Sequence, residues 1–224
     1  VMSCVDEKGS LRTPGVNSLF NAVVEAQVNG ITSIFLENGT HDEKGEYVLI
    51  DYSVSIVGES REHCIVIGGL KMEGEKKDDV NVTNLTLSYS KKCGVWGDSL
   101  YSVYAADQAM KPAGASFHLD NVSVENSGHE GIVVHRTKRN TIKNCNVSHS
   151  KKSGLSVNGG VMTIDGSGIT IHHNCTNGNS RDYGLKTYGS SSSIHLASSL
   201  TIEMISKNNG GGGNHGGEGT IKTL

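Results

Sequence analysis

Three segments of the chain superpose without a gap: NLTLSYSKKCGVW from Asn84, NVSVENSGHEGIV from Asn121 and NCNVSHSKKSGLS from Asn144. Each carries a serine six residues after the Asn (Ser90, Ser127, Ser150) and a glycine ten residues after it (Gly94, Gly131, Gly154). Two looser copies follow, GITIHHNCTNG from Gly168 and SLTIEMISKNN from Ser199, so successive starts lie 37, 23, 24 and 31 residues apart. The short intervals read as one structural unit and the long ones as a unit plus an inserted loop. Repetition at this period marks units that cannot bury an apolar face alone and must stack on their neighbours.

Inside each copy the apolar residues alternate: Leu85/Leu87, Val122/Val124, Cys145/Val147, Ile169/Ile171 and Leu200/Ile202. After the glycine a second alternation begins, at Val95/Gly97, Ile132/Val134, Leu155/Val157 and Leu185/Thr187. Short runs of period two are strands. Two or three of them in each short unit predict an all-β fold, a single parallel β-helix of stacked coils running over residues 31–224. Inserted loops are expected near 97–114 and 174–184. The composition agrees: 35% hydrophobic residues and 5% aromatics are too few for a broad core, but a narrow column of stacked aliphatics needs no more. Ahead of the coils, NSLFNAVVEAQVNG places Leu19, Phe20, Val23, Val24 and Val28 before the stop at Gly30. That pattern predicts an amphipathic helix over 17–30, set to cover the first coil's open sheet edge. The whole of 1–224 then forms one domain.

The stretch IFLENGTHDEKGEYVLIDYSVSIVGES resembles the opening of right-handed parallel β-helix proteins of the pectate-lyase-like superfamily, in which a capping helix precedes a similar pattern. The likeness runs from about Asn17 to Leu224. It implies the right-handed single-stranded β-helix fold. For activity it implies only a range, since that superfamily holds lyases, hydrolases, esterases, epimerases, adhesins and non-catalytic modules.

Alternation also assigns faces, because neighbouring side chains on a strand point opposite ways. On the strand before the corner, Thr86/Ser88, Ser123/Glu125, Asn146/Ser148, Thr170/His172 and Thr201/Glu203 point outward. On the strand after it, one outward row is Trp96, Val133, Ser156 and Lys186, and the next is Asp98, His135, Asn158 and Tyr188. With coils about 4.8 Å apart, this strip spans several sugar rings. Aromatic surface beside polar and basic groups suits an acidic polysaccharide, bound through Trp96, Asp98 and Asn158. A uronate lyase or C5-epimerase also needs a base for the C5 proton and a group that neutralises the carboxylate, roles open to Lys186, His135 and Tyr188. Asp98 or Asp165 could orient the base or hold a cation such as calcium. The alternative is a non-catalytic structural, adhesin or protein-interaction module.

Motifs of named enzymes are incomplete. GHEG at 128–131 and GLKT at 184–187 resemble the Gly-His-Gly and Arg-Ile-Lys motifs of polygalacturonases, but the paired aspartates that would act as acid and base are missing. The acidic calcium cluster of pectate lyases and the Asp-Pro-His-Asp motif of mannuronan epimerases are also absent, so if the chain is an enzyme, lyase or epimerase chemistry fits better than hydrolysis.

Other features read as structural. His129 and Glu130 match KKC and KKS in neighbouring coils, which puts them on an ordinary turn. His149 and His173 fall five positions after their starts and should stack beside Asn126. His172 and His173 should point to opposite sides. NNGGGGNHGGEG, 208–219, reads as a flexible loop. Cys4, Cys64, Cys93, Cys145 and Cys175 show neither disulfide nor zinc spacing, so no metal ligand is assigned. A net charge of −3 gives no reason to expect nucleic acid, and no apolar run of about 18 residues exists to insert into a bilayer. The opening VMSCVDEKGS does not read as a signal peptide. Six N-x-S/T sequons coincide with the strand pattern itself; an extracellular or surface setting is favoured, the compartment otherwise open.

Overall fold

The computed structural model describes residues 4–15, 18–99 and 114–224. Its strands form a 10-stranded and a 12-stranded sheet; the coils stack in parallel register, while the short strand Cys4–Val5 runs antiparallel to Leu11–Thr13. The 12-stranded sheet bends at a corner into two faces. One face comprises Thr86–Ser88, Ser123–Glu125, Asn146–Ser148 and Thr170–His172. The other comprises Val95–Asp98, Ile132–His135, Leu155–Asn158 and Leu185–Tyr188. The 10-stranded sheet closes the coil from behind with Asp79–Thr83, Ser116–Asp120, Asn140–Lys143, Val161–Asp165 and Ser193–Leu196. A parallel β-helix follows, as the alternation predicts.

The core is a set of columns, one residue per coil. Leu87, Val124, Val147 and Ile171 stack in register, as do Val95, Ile132, Leu155 and Leu185, all buried. Phe117, the bulkiest fully buried side chain among the described residues, fits because Gly97 opposes it: a Cβ there would lie 2.5 Å from the ring.

The serine and glycine of the repeat are one device. A Cβ on Gly94 would strike Val124 Cγ1 at 2.2 Å and Ser127 Oγ at 2.9 Å, and one on Gly131 would strike Val147 Cγ1 at 2.5 Å and Ser150 Oγ at 3.0 Å. Each glycine makes room for the next coil's core valine and, beside it, the buried serine. The two corners are held by residues in the left-handed region. Asn84, Asn121 and Asn144 turn the first, with φ of 56°, 53° and 51°, and the Asn121 amide donates to Asn84 Oδ1 at 2.9 Å. Tyr89, Asn126, His149, His173 and Asn208 turn the second. Asn adopts this region at least cost among non-glycine residues, which explains the repeat's leading Asn.

A helix, α1 (Leu19–Val28), forms where expected. Ser18 caps it, and the Glu43 carboxylate accepts from Ser18 Oγ and Leu19 N. Its packed stripe differs from the expected one. Leu19, Ala22, Val23 and Ala26 are buried, while Phe20, Val24 and Val28 are exposed. Small alanines let the helix lie close on strands Ser33–Leu36 and Gly39–Ile50, and the larger residues fall outside the i, i+3, i+4, i+7 stripe. The sheet also reaches back before the helix, with Leu11–Thr13 parallel to Ser33–Leu36.

Two further expectations are corrected at the C-terminal end. Residues Ile202–Ile205 form a single helical turn, α2, capped by Thr201, so Thr201 and Glu203 are not outward strand positions. The coil resumes beyond it, where Ser206, not Ile202, pairs with Ile171. The Asn209 amide donates to Ile171 O just as the Asn174 amide donates to Val147 O, which fixes the register. The glycine-rich segment is not a loose loop. His215–Gly217 adds a strand beside Leu185–Thr187, with Gly216 packed on the Tyr183 ring. Glycine there serves close approach to an aromatic ring.

Candidate functional site

The two outward rows after the second corner are in register over four coils. Trp96, Val133, Ser156 and Lys186 align, and so do Asp98, His135, Asn158 and Tyr188. What the rows bring together is Asp98 and His135, whose Oδ1 and Nδ1 are 2.7 Å apart. The carboxylate fixes the ring and favours the tautomer with hydrogen on Nδ1, which leaves Nε2 as the basic nitrogen.

The other expected members do not converge on this pair. Tyr188 is two coils away, about 10 Å at the usual spacing, and it is 59% exposed. Lys186 Nζ is held at 3.0 Å by Asp182, which is buried. An ammonium held by a carboxylate is a poor base, so Lys186 serves first to anchor the 174–184 insertion. Trp96 is half-buried, with the Tyr47 ring edge-on at 6.4 Å and Lys71 Nζ 6.0 Å over its face. It is a floor for the strip more than an open stacking platform. Lys71 is in turn paired with Glu73. Of the loop expected at 97–114, positions 100–113 lie outside the described residues.

The face before the corner carries a concavity that the sequence reading left unassigned. A groove of about 590 Å³ crosses the strands, lined by Thr86, Ser123, Glu125, Asn146, Thr170 and His172, with Arg61 and Glu62 at one end and Gly168 beside Thr170. Its polar groups are linked from coil to coil. Ser123 Oγ and Asn146 Nδ2 donate to Glu125 Oε1, and Thr170 Oγ1 donates to Asn146 Oδ1. His172 Nε2 lies 2.9 Å from the same Asn146 oxygen. The signal was present in the alternation, which put these residues outward. What it could not give is the wall, since Arg61 and Glu62 come from a turn far upstream.

At the second corner, His149 and His173 stack with centroids 5.5 Å apart and planes within 5°, in the column that holds Asn126, as expected. The expectation that His172 and His173 diverge fails: their Nδ1 atoms are 2.7 Å apart. His173 has φ of 53°, so strand alternation ends one residue before it. Burial, and then the neighbouring His173 and His149, push the His172 pKa below the ordinary histidine value.

Among the described residues no helix is long and apolar enough to cross a membrane. Neither a curated protein nor a solved structure matches the chain. A family model described as the right handed beta helix region matches residues 68–214, the stretch that holds both faces and most of the coils. With parallel coils, repeated corners and that match in agreement, the chain belongs to the right-handed β-helix family.

Proposed function

We propose that this β-helix recognises a polysaccharide laid along the coil axis, on the strip formed by Trp96, Asp98, His135, Asn158, Lys186 and Tyr188. The observation that supports the reading most is the register of two outward rows over four successive coils, a periodic surface matched to a periodic ligand. Acidic, uronic-acid glycans are the favoured class. On a uronate His135, held by Asp98, is placed to take the C5 proton through Nε2, in the manner of a lyase or C5-epimerase. Tyr188 offers an exposed ring and hydroxyl to a sugar further along.

The test is direct. The protein is incubated with polygalacturonate and with alginate, with and without calcium, and the absorbance of unsaturated product is followed. Exchange of the C5 proton with deuterated solvent, read by NMR, detects an epimerase. Calorimetry on the same glycans measures binding alone. Binding that is weakened in His135→Ala and in Tyr188→Ala supports the strip; no binding to any acidic glycan removes the reading.

A second reading, binding without turnover, is favoured by one observation. Lys186 and Lys71 are each neutralised by a carboxylate of their own surroundings, so the strip offers a uronate carboxylate little positive charge. Measurable affinity with neither product nor exchange is the result that selects it.

A further inference from the structure

We propose that Cys93, His129 and Glu130 form a binding site for a divalent transition-metal ion of the zinc class. Each residue offers one ligand atom, and the three atoms lie within 4.8 Å of one another. This inference stands apart from the glycan reading.

The fold assembles the site from two coils. Cys93 and Glu130 hold the same place on successive coils, each just before the glycine of its repeat, and Gly94 N donates to Glu130 O at 3.2 Å. His129 is fixed one residue earlier by its backbone N–H, which donates to Lys92 O at 3.0 Å. Cys93 N donates to Tyr47 Oη at 3.0 Å, which sets the thiol beside the neighbouring turn. No short spacing along the chain announces this set; only the repeat alignment, which sets GHE against KKC, brings the thiol and the other two donors onto neighbouring coils. The side chain of Glu130 divides its oxygens. Oε1 faces Lys152 Nζ at 3.8 Å, while Oε2 is 3.5 Å from Cys93 Sγ.

The donor chemistry selects the metal. Zinc takes sulfur at about 2.3 Å and nitrogen or oxygen at about 2.0–2.2 Å in tetrahedral geometry, so its ligands lie roughly 3.5 Å from one another. Sγ and Oε2 are already at that separation, and His129, whose side chain is exposed, closes the remainder by rotating. Calcium asks for six to eight oxygens and gains nothing from a buried thiol. On binding, the Cys93 thiol releases its proton to solvent as the sulfur–metal bond forms, with no change of oxidation state. Thiolate and carboxylate together balance the ion's charge. Three protein ligands leave a fourth position for water or an added ligand.

The test uses Co²⁺ added to the whole chain, read by visible and near-ultraviolet absorption. One equivalent is expected to give tetrahedral d–d bands with a thiolate-to-cobalt charge-transfer band, displaced by Zn²⁺ and unmoved by Ca²⁺. Cys93→Ser should abolish the charge-transfer band. His129→Ala, an exposed change that leaves the core untouched, should weaken binding by at least about tenfold, as should Glu130→Gln. Absence of the charge-transfer band in the parent protein overturns the proposal. So does a charge-transfer band that survives both Cys93→Ser and His129→Ala, which would place the ion on another thiol, for instance the exposed Cys4.

Discussion

The two faces that meet at the second corner are made from the same sheet, yet they treat polar side chains in opposite ways. After the corner, each carboxylate holds a single basic partner in a separate pair: Asp98 with His135, Asp182 with Lys186, Glu73 with Lys71. Before the corner, the side chains form one continuous ladder from Ser123 through Glu125 and Asn146 to Thr170 and His172, under a wall at Arg61. Four-residue strands expose two rows, and opposite charges from adjacent coils or from an insertion can settle face to face. Three-residue strands flanked by tight corners bring hydroxyls, amides and a carboxylate within reach of one another. A ligand on the first face must displace or extend existing ion pairs, whereas one on the second only exchanges hydrogen bonds.

The comparison can be broken by substitution, and the largest effect lies beneath the strip. Phe117→Ala empties the space that Gly97 opens to it and should cost about 3–5 kcal/mol in urea unfolding. In folded protein, glycan affinity should fall if the strip binds and persist if the groove does. Lys186→Ala should cost up to about 3 kcal/mol, because it strands the buried carboxylate of Asp182. Adding Asp182→Asn should recover most of that loss, which separates an anchoring role from a catalytic one.

The ladder predicts a pH effect. The His172 pKa is lowered in the fold, so the unfolded chain binds more protons in the acid range. The stabilisation is complete above the ordinary histidine pKa of about 6.5 and is lost as pH falls through it toward the folded value. Melting temperature should therefore drop from pH 7 toward pH 5, with a smaller drop in His172→Asn. His195, also lowered by burial and then by Lys222, accounts for a part that survives that substitution. The smallest effect on stability belongs to Tyr188→Ala, within about 0.5 kcal/mol since the ring is exposed. Its glycan affinity should nonetheless fall about threefold to tenfold by calorimetry, while Asn146→Ala changes it little. The reverse order of those two variants would move the ligand to the groove.

Much of the architecture was legible because the repeat is itself a packing rule. Val124 and Ser127 need Gly94, and Val147 and Ser150 need Gly131, so the spacing seen along the chain is a contact between coils. Outward rows followed from alternation, and Trp96 to Lys186 align as the pattern demands. Alternation fails wherever the backbone leaves the extended region. At His173 the left-handed corner turns the ring back toward His172, and at Ile202–Ile205 a helical turn delays the coil. Composition misled at 208–219, where glycines that suggest looseness are demanded by Tyr183. The groove wall was illegible because Arg61 and Glu62 lie outside the repeat, whereas the Cys93–Glu130 approach was in the alignment but read as an ordinary turn.

The second corner has a wider consequence. Tyr89, Asn126, His149, His173 and Asn208 share one backbone dihedral and almost nothing else. The fold demands an angle there and leaves the side chain free. That column is a row of sockets, one per coil, standing between the two faces. New chemistry can be written into it, rung by rung, without rewriting the scaffold that carries it.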